Sequence, residues 1–232
     1  MNRQKFLKQK RKVLAVVVTG SLFFLFGIFL YQFSIIRQNT YTDADFGIRT
    51  EESASDADGD GMMDNRDILT GAKQYLKTKP KYKSEYYEGG YPDGDYGVCA
   101  DVVAFALKDA GYDLRELVAE DRKNHPERYG EDRPDSNIDF RRVRNLKVYF
   151  EYHAQVLSTD PDDLEAWRGG DIVLFPKHIG IVSDHRNHKG IPFVLHHAHP
   201  LQLHYEEDVM GSRYKFAAKT HMLACGMKAV AL

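Results

Sequence analysis

The longest uninterrupted apolar pattern lies near the start of the chain. Residues 13–36, VLAVVVTGSLFFLFGIFLYQFSII, carry no charged side chain. As a helix rising 1.5 Å per residue they would span roughly 36 Å, enough to cross a hydrocarbon core of about 30 Å. A cleaved secretory signal has a shorter apolar region and small residues at the cut, and this stretch has neither. Arg3, Lys5, Lys8, Lys10, Arg11 and Lys12 precede it with no acid among them. The positive-inside rule therefore puts residues 1–12 in the cytoplasm and everything after Arg37 outside. The expectation is a single-pass signal anchor holding an extracytoplasmic body.

From residue 37 to about residue 55 the pattern is polar and lacks the period of either helix or strand, which reads as a linker extending to residue 67. Helical periodicity follows over about 67–77, 99–110, 113–122 and 139–155, with Tyr/Gly/Pro-rich loop between, as in YYEGGYPDGDYG (86–97). After Gly170 the pattern changes to short runs that suit strands: 171–175, 178–184, 192–198, 214–219 and 225–232. Their short connections favour antiparallel pairing. Helices first and strands second predict an α+β domain over residues 68–232.

Charge changes the picture by exclusion. The chain carries −2 overall and +6 in its first twelve residues, so the part beyond the apolar span carries −8. So acidic a body is poorly suited to nucleic acid. Its two cysteines rule out a cystine-stapled scaffold and permit at most a Cys99–Cys225 bridge.

Residues 56–67, DADGDGMMDNRD, have the spacing of a calcium loop. Asp56, Asp58, Asp60, Asp64 and Asp67 fall at positions 1, 3, 5, 9 and 12, Gly61 at the turn position 6, and Met62 at position 7, where only its carbonyl would be used. Position 12 is Asp where a bidentate Glu is usual, and the segment before Asp56 does not read as an entering helix. A single Ca2+ loop of weak, extracellular affinity, structural in role, is the expectation.

Cys99 opens a helix directly after a glycine-rich loop, in DYGVCADVVAFAL. A thiol at a helix N-terminus lies near the positive end of the dipole, which favours thiolate. Asp101, in the first turn, is placed to accept an orphan backbone N–H. A nucleophilic cysteine needs a base and an orienting partner, and His178 and His196, on successive predicted strands, supply imidazoles for both. Each residue by itself is equally compatible with a structural role.

The ordered blocks GVCADVV…GYDL, PDSNIDFRRVRNL, WRGGDIVLF, HIGIVSD and VLHHA…EED resemble the bacterial DUF1287 family, which is grouped with the NlpC/P60-like, papain-related cysteine hydrolases. The resemblance covers about residues 66–223. It implies a papain-like fold in which a nucleophile-bearing helix packs on an antiparallel sheet that bears the histidines. By that resemblance Cys99 is the nucleophile, His178 the general base and His196 the third polar member. His197 stands where the family commonly has Asn, so either His196 or His197 could face His178. The implied activity is hydrolysis of amide or peptide bonds, with peptidoglycan beside a bacterial cell membrane as the substrate. In the block at residues 135–142, Asp135, Asn137, Asp139, Arg141 and Arg142 could bind a charged substrate, and read better as capping and salt-bridging the helix that follows.

Two other readings remain open at this point. Seven of the ten histidines lie between His178 and His204, a cluster that could hold zinc. Alternatively, the same shell could serve as a non-catalytic wall-binding scaffold.

Overall fold

The computed structural model describes residues 3–32, 39–49, 55–130, 133–157, 160, 162–210 and 223–226. The chain divides into two compact units, residues 1–38 and 39–232. The first contains α1 (Arg3–Gln32), a single continuous helix. Its stretch Leu7–Leu30 is long and apolar enough to cross a membrane. The basic cluster and the apolar run thus share one helix, as far as the described residues extend.

The second unit runs in chain order through β1 (Tyr41–Thr42), α2 (Asp64–Lys77), β2 (Lys81–Tyr82), β3 (Tyr96–Gly97), α3 (Cys99–Asp109), α4 (Leu114–Asn124), α5 (Val143–His153), β4 (Gln155–Val156), β5 (Ile172–Phe175), β6 (His178–Arg186), β7 (Pro192–Leu195), β8 (Glu206–Glu207) and β9 (Leu223–Gly226). Among the described residues one sheet has the order β4-β9-β5-β6-β7-β8, with β1 also on β6. Its pairings are all antiparallel. β2 and β3 form a separate parallel pair. The unit is α+β, with helices ahead of an antiparallel sheet. The expected strand at 214–219 and the end of the one at 225–232 lie outside the described residues.

Alternation along the strands gives the sheet two covered faces. Ile172, Leu174, Ile179, Ile181 and Leu195 join the helices' buried residues, among them Ile68, Ala72 and Leu76 of α2 and Val102, Val103 and Leu107 of α3. Val173, Phe175, Val182 and Val194 face the other way, onto Trp167, Ile191, Val209 and Met210. The apolar positions of α2 recur at helical spacing, so one stripe seats it against α3, whose own alanines and valines are buried almost throughout.

The start of α3 is held by a buried ion pair. Arg141 donates through Nε to Asp101 Oδ1 at 2.6 Å and through Nη2 to Oδ2 at 2.9 Å. The same carboxylate accepts the Val98 N–H at 2.8 Å, closing the first turn from inside. Arg141 also donates to the Glu85 carbonyl at 2.6 Å, which ties in the Tyr/Gly-rich loop.

Two expectations are corrected here. The helix expected over 139–155 begins with a 3-10 turn, Asp139–Arg141, and becomes α-helical only from Val143. Asp139 does not cap it. Its buried carboxylate pairs with Arg122 of α4 at 2.9 Å and Arg142 at 3.0 Å, and accepts the Asp135 N–H at 2.8 Å. The residues of that block knot three helices together.

The linker expected over 37–67 is also part of the folded unit wherever it is described. β1 pairs with β6, Ile48 is buried, and Asp43 forms an ion pair with Arg186. Arg186, 1% exposed, also donates to the carbonyls of Leu164, Gly190 and Trp167. A polar segment with little hydrophobic pattern is thus fastened by one buried guanidinium, an interaction that periodicity does not register.

Arg141→Ala leaves Asp101 buried without its partner and is expected to cost about 3–5 kcal/mol of stability in urea unfolding. Arg141→Lys should recover only part of this, because an ammonium cannot reproduce the two-point contact. Equal stability of the Ala variant and the parent would contradict this account of the pair.

Candidate functional site

Cys99 is the first residue of α3 and a free thiol. No Cys99–Cys225 bridge forms. The backbone N–H groups of Ile179, Ala100 and Cys99 itself favour the charged form of the thiol. The influence of Ile179 puts the start of α3 near the head of β6, the strand against which this helix packs. His178 is the first residue of that strand.

His178 Nε2 lies 2.8 Å from His196 Nδ1, with the rings edge to face. The register explains the meeting. Val182 pairs with Val194 and Ile181 with Leu195, so continuing the ladder sets His196 across from Gly180 and diagonal to His178 on the same face. A Cβ on Gly180 would come within 2.5 Å of Val194 Cγ1, 2.9 Å of the Leu195 carbonyl oxygen and 3.2 Å of His196 Cβ. Only a residue without a side chain lets β6 and β7 close at that point and leaves the space over which the two imidazoles meet.

His196 Nε2 lies 3.3 Å from Glu207 Oε2 of β8, within ion-pair range although off the hydrogen-bonding axis. Both residues are buried, and the His196 N–H donates to the Tyr205 carbonyl at 2.8 Å. Sequence reasoning did not single out Glu207. Its only sequence signal is its place in the EED that follows VLHHA.

His197 turns the other way. Its ring meets Tyr82 at 5.2 Å and Tyr205 at 5.1 Å, both edge to face. It is therefore His196, not His197, that meets His178. Tyr82, on β2, was also missed by sequence reasoning. Burial raises its phenol, and the charge of Cys99 raises it further, which puts the hydroxyl in the thiol's neighbourhood.

The electrostatics reverse one expectation. Burial pushes the Cys99 thiol up to about 11, outweighing the three backbone N–H groups that favour thiolate. Burial first, then the neighbouring His196 and His197, pushes His178 down to about 3. Burial also takes His197 down to about 4. The helix terminus does not make a resting thiolate here. At neutral pH Cys99 is a neutral thiol and His178 a neutral imidazole.

The remaining histidines do not gather into one metal set. Among the described residues the one histidine-containing group with metal-ligand proximity is Asp184, His185 and Glu206, which excludes His178 and His196. Lys73 Nζ sits 2.5 Å from Asp184 Oδ1 and His185 Nδ1 2.8 Å from Glu206 Oε1. An ammonium already on one of the carboxylates fits an ion-pair network better than a cation site.

In the 56–67 segment, Asp56, Asp58 and Asp60 bring carboxylate oxygens within 4.8 Å of one another. Gly61, at φ +94°, donates its N–H to Asp56 at 3.0 Å, and the Met62 N–H reaches Asp60 at 2.7 Å. Asp64 departs from the expected set. It is the first residue of α2, and its two oxygens accept the Ala57 N–H at 2.9 Å and the Tyr112 hydroxyl at 2.6 Å. Asp67, 6% exposed in the first turn of α2, is pushed up to about 6 by burial and then by Asp60, Asp58, Asp109 and Asp56.

Comparison with known proteins finds a family match that lies inside the second unit. The family model DUF1287, described as a domain of unknown function, matches residues 69–220. The chain is 41% identical over 147 residues to the uncharacterized protein YijF of Escherichia coli (strain K12), an alignment covering 57% of this chain and 70% of that protein. No solved structure matches. The matched region holds Cys99, His178, His196 and Glu207 and leaves out the aspartate loop.

A neutral resting thiol predicts its own labelling profile. Alkylation of Cys99 by iodoacetamide, followed by peptide mass spectrometry, should be slow at pH 7 and still climbing at pH 9, with its midpoint near 11. A plateau reached below pH 8 would show a resting thiolate and overturn this description.

Proposed function

This chain belongs to the DUF1287 family, and from the geometry around Cys99 we propose that it is a membrane-anchored cysteine hydrolase of amide or peptide bonds, with peptidoglycan as the substrate class. One observation carries the reading: the buried row Glu207, His196, His178, which ends at the first residue of β6, the strand against which the Cys99-bearing helix packs. The single apolar helix α1 supports an anchor, and its basic N-terminal turns support an extracytoplasmic body. A papain-like arrangement is part of the proposal, supported by the helix that carries the cysteine and packs on the sheet that carries the histidines.

The row has one self-consistent protonation pattern. With Glu207 ionised, His196 carries its proton on Nε2 and accepts at Nδ1. His178 then donates from Nε2 to His196, and its Nδ1 is the nitrogen assigned to receive the thiol proton. Because both partners rest neutral, proton transfer accompanies attack instead of preceding it. The sulfur adds to the carbonyl carbon as its proton passes to His178, and the tetrahedral oxyanion is held by backbone N–H groups at the start of α3. His178 returns the proton to the leaving amine, and the thioester is hydrolysed by water that His178 activates in turn. The imidazolium formed midway is stabilised by Glu207 through His196, so the carboxylate acts when charge appears.

The test uses the full-length chain in detergent, with purified wall fragments and mass spectrometry of the products. Cys99→Ala and His178→Ala are each expected to lower turnover at least about a thousandfold while the protein still melts cooperatively. His196→Ala should cost less, since it orients the base. Wild-type turnover by Cys99→Ala would remove the hydrolase reading and leave a wall-binding protein. A loss at His197→Ala as large as at His178→Ala would overturn the assigned pairing.

A further inference from the structure

The aspartate loop ahead of α2 lies outside the family match, and the hydrolase reading makes no use of it. Three of its carboxylates converge although nothing cationic among the described residues pairs with them. Asp56, Asp58 and Asp60 present oxygens within 4.8 Å of one another, a separation that a hard cation with ligands at 2.3–2.6 Å would bridge. By itself this is an acidic turn. A second observation comes from α2: Asp67 is 94% buried, and its Oδ2 has no hydrogen-bond partner. It stands in the first turn of α2, at the last position of the twelve-residue stretch that the three converging carboxylates open. A buried carboxylate oxygen left unpaired beside like charges costs free energy that a bound cation would recover.

We propose that Asp56, Asp58, Asp60 and Asp67 form a Ca2+ site that joins the loop to the first turn of α2. Carboxylate oxygens alone, in an open, partly exposed loop, suit calcium better than magnesium, which demands near-ideal octahedral geometry and keeps its waters. Asp64 has a different task, because its oxygens are committed to Ala57 and Tyr112. Through Tyr112 the loop is tied to the turn that leaves α3. At that turn the loop backbone also comes close, since a Cβ on Gly111 would lie 3.2 Å from the Asp58 nitrogen. The ion therefore braces α2 against the far end of the helix that begins at Cys99. It acts on stability and takes no part in bond making.

The site is independent of what Cys99 does, so its test needs no substrate. The full-length chain in detergent, stripped with chelator, is titrated with CaCl2 and separately with MgCl2, following heat of binding and melting temperature. One saturable Ca2+ event with a dissociation constant of about 10⁻⁴–10⁻³ M is expected, together with a rise in melting temperature. Mg2+ at equal concentration should do far less. Asp58→Asn and Asp60→Asn should each weaken Ca2+ binding at least about tenfold. Asp67→Asn gives the sharper reading. It should lose the Ca2+ response yet melt, without calcium, at or above the temperature of the parent, because it removes a buried repulsive charge. No saturable event up to about 10 mM, or an undiminished response in all three variants, would overturn the site. An Asp67→Asn protein that is less stable than the parent without calcium and still responds to it would do the same.

Discussion

A guanidinium and a carboxylate buried together where α3 begins govern the surroundings of Cys99. Desolvating both groups costs roughly what their attraction returns, and an apolar pair of similar volume would stabilise the fold as well. What Asp101 and Arg141 supply is direction. Asp101 faces Arg141 on two atoms and still accepts the Val98 N–H, so the residue before the cysteine has one position. Arg141 in turn is fixed by the turn that Asp139 anchors to α4. The loop before α3, the turn before α5 and the start of the helix are set by one set of contacts. Loosening any of them moves the sulfur.

The sheet contributes the second half of the geometry by bringing backbones unusually close. β6 and β7 approach at Gly180 to a distance that a methyl group would block, and the two rings meet across the gap. From there the row continues to Glu207 on a strand of only two residues. His178 gains its low basicity from the same burial that aligns it with His196. Position and protonation state are thus consequences of one packing arrangement.

Much of this was legible in the chain. The apolar span, the helix opened by Cys99, the strand opened by His178 and the α+β order follow from local periodicity and turn residues. The rest depends on partners far apart in sequence. Asp101 and Arg141 are 40 residues apart, and Asp43 and Arg186 are 143 apart. Neither pair leaves a periodic trace, which is why residues 41–48 read as linker and the 135–142 block as a cap. Glu207 sits in a short charged run that carries no strand pattern. The charge state of Cys99 was misread for a related reason: the helix terminus is a local feature visible in sequence, whereas the burial that outweighs it is a tertiary one. Asp64 fits the loop spacing as well as its neighbours do, and only the fold shows its oxygens turned to Tyr112.

The neutral thiol has a bearing on how such a protein lasts. Peroxides and disulfides react with thiolate far faster than with thiol, so a cysteine that burial pushes up to about 11 offers them little to attack. Low-pKa nucleophiles need reductants nearby to reverse sulfenic acid and mixed disulfides. Cys99, half-buried at the head of α3 and protonated at rest, escapes most of that chemistry without a partner to repair it. Resistance to oxidation is then a property of where the side chain sits, and any substitution that exposed the thiol further to water would trade it for easier ionisation.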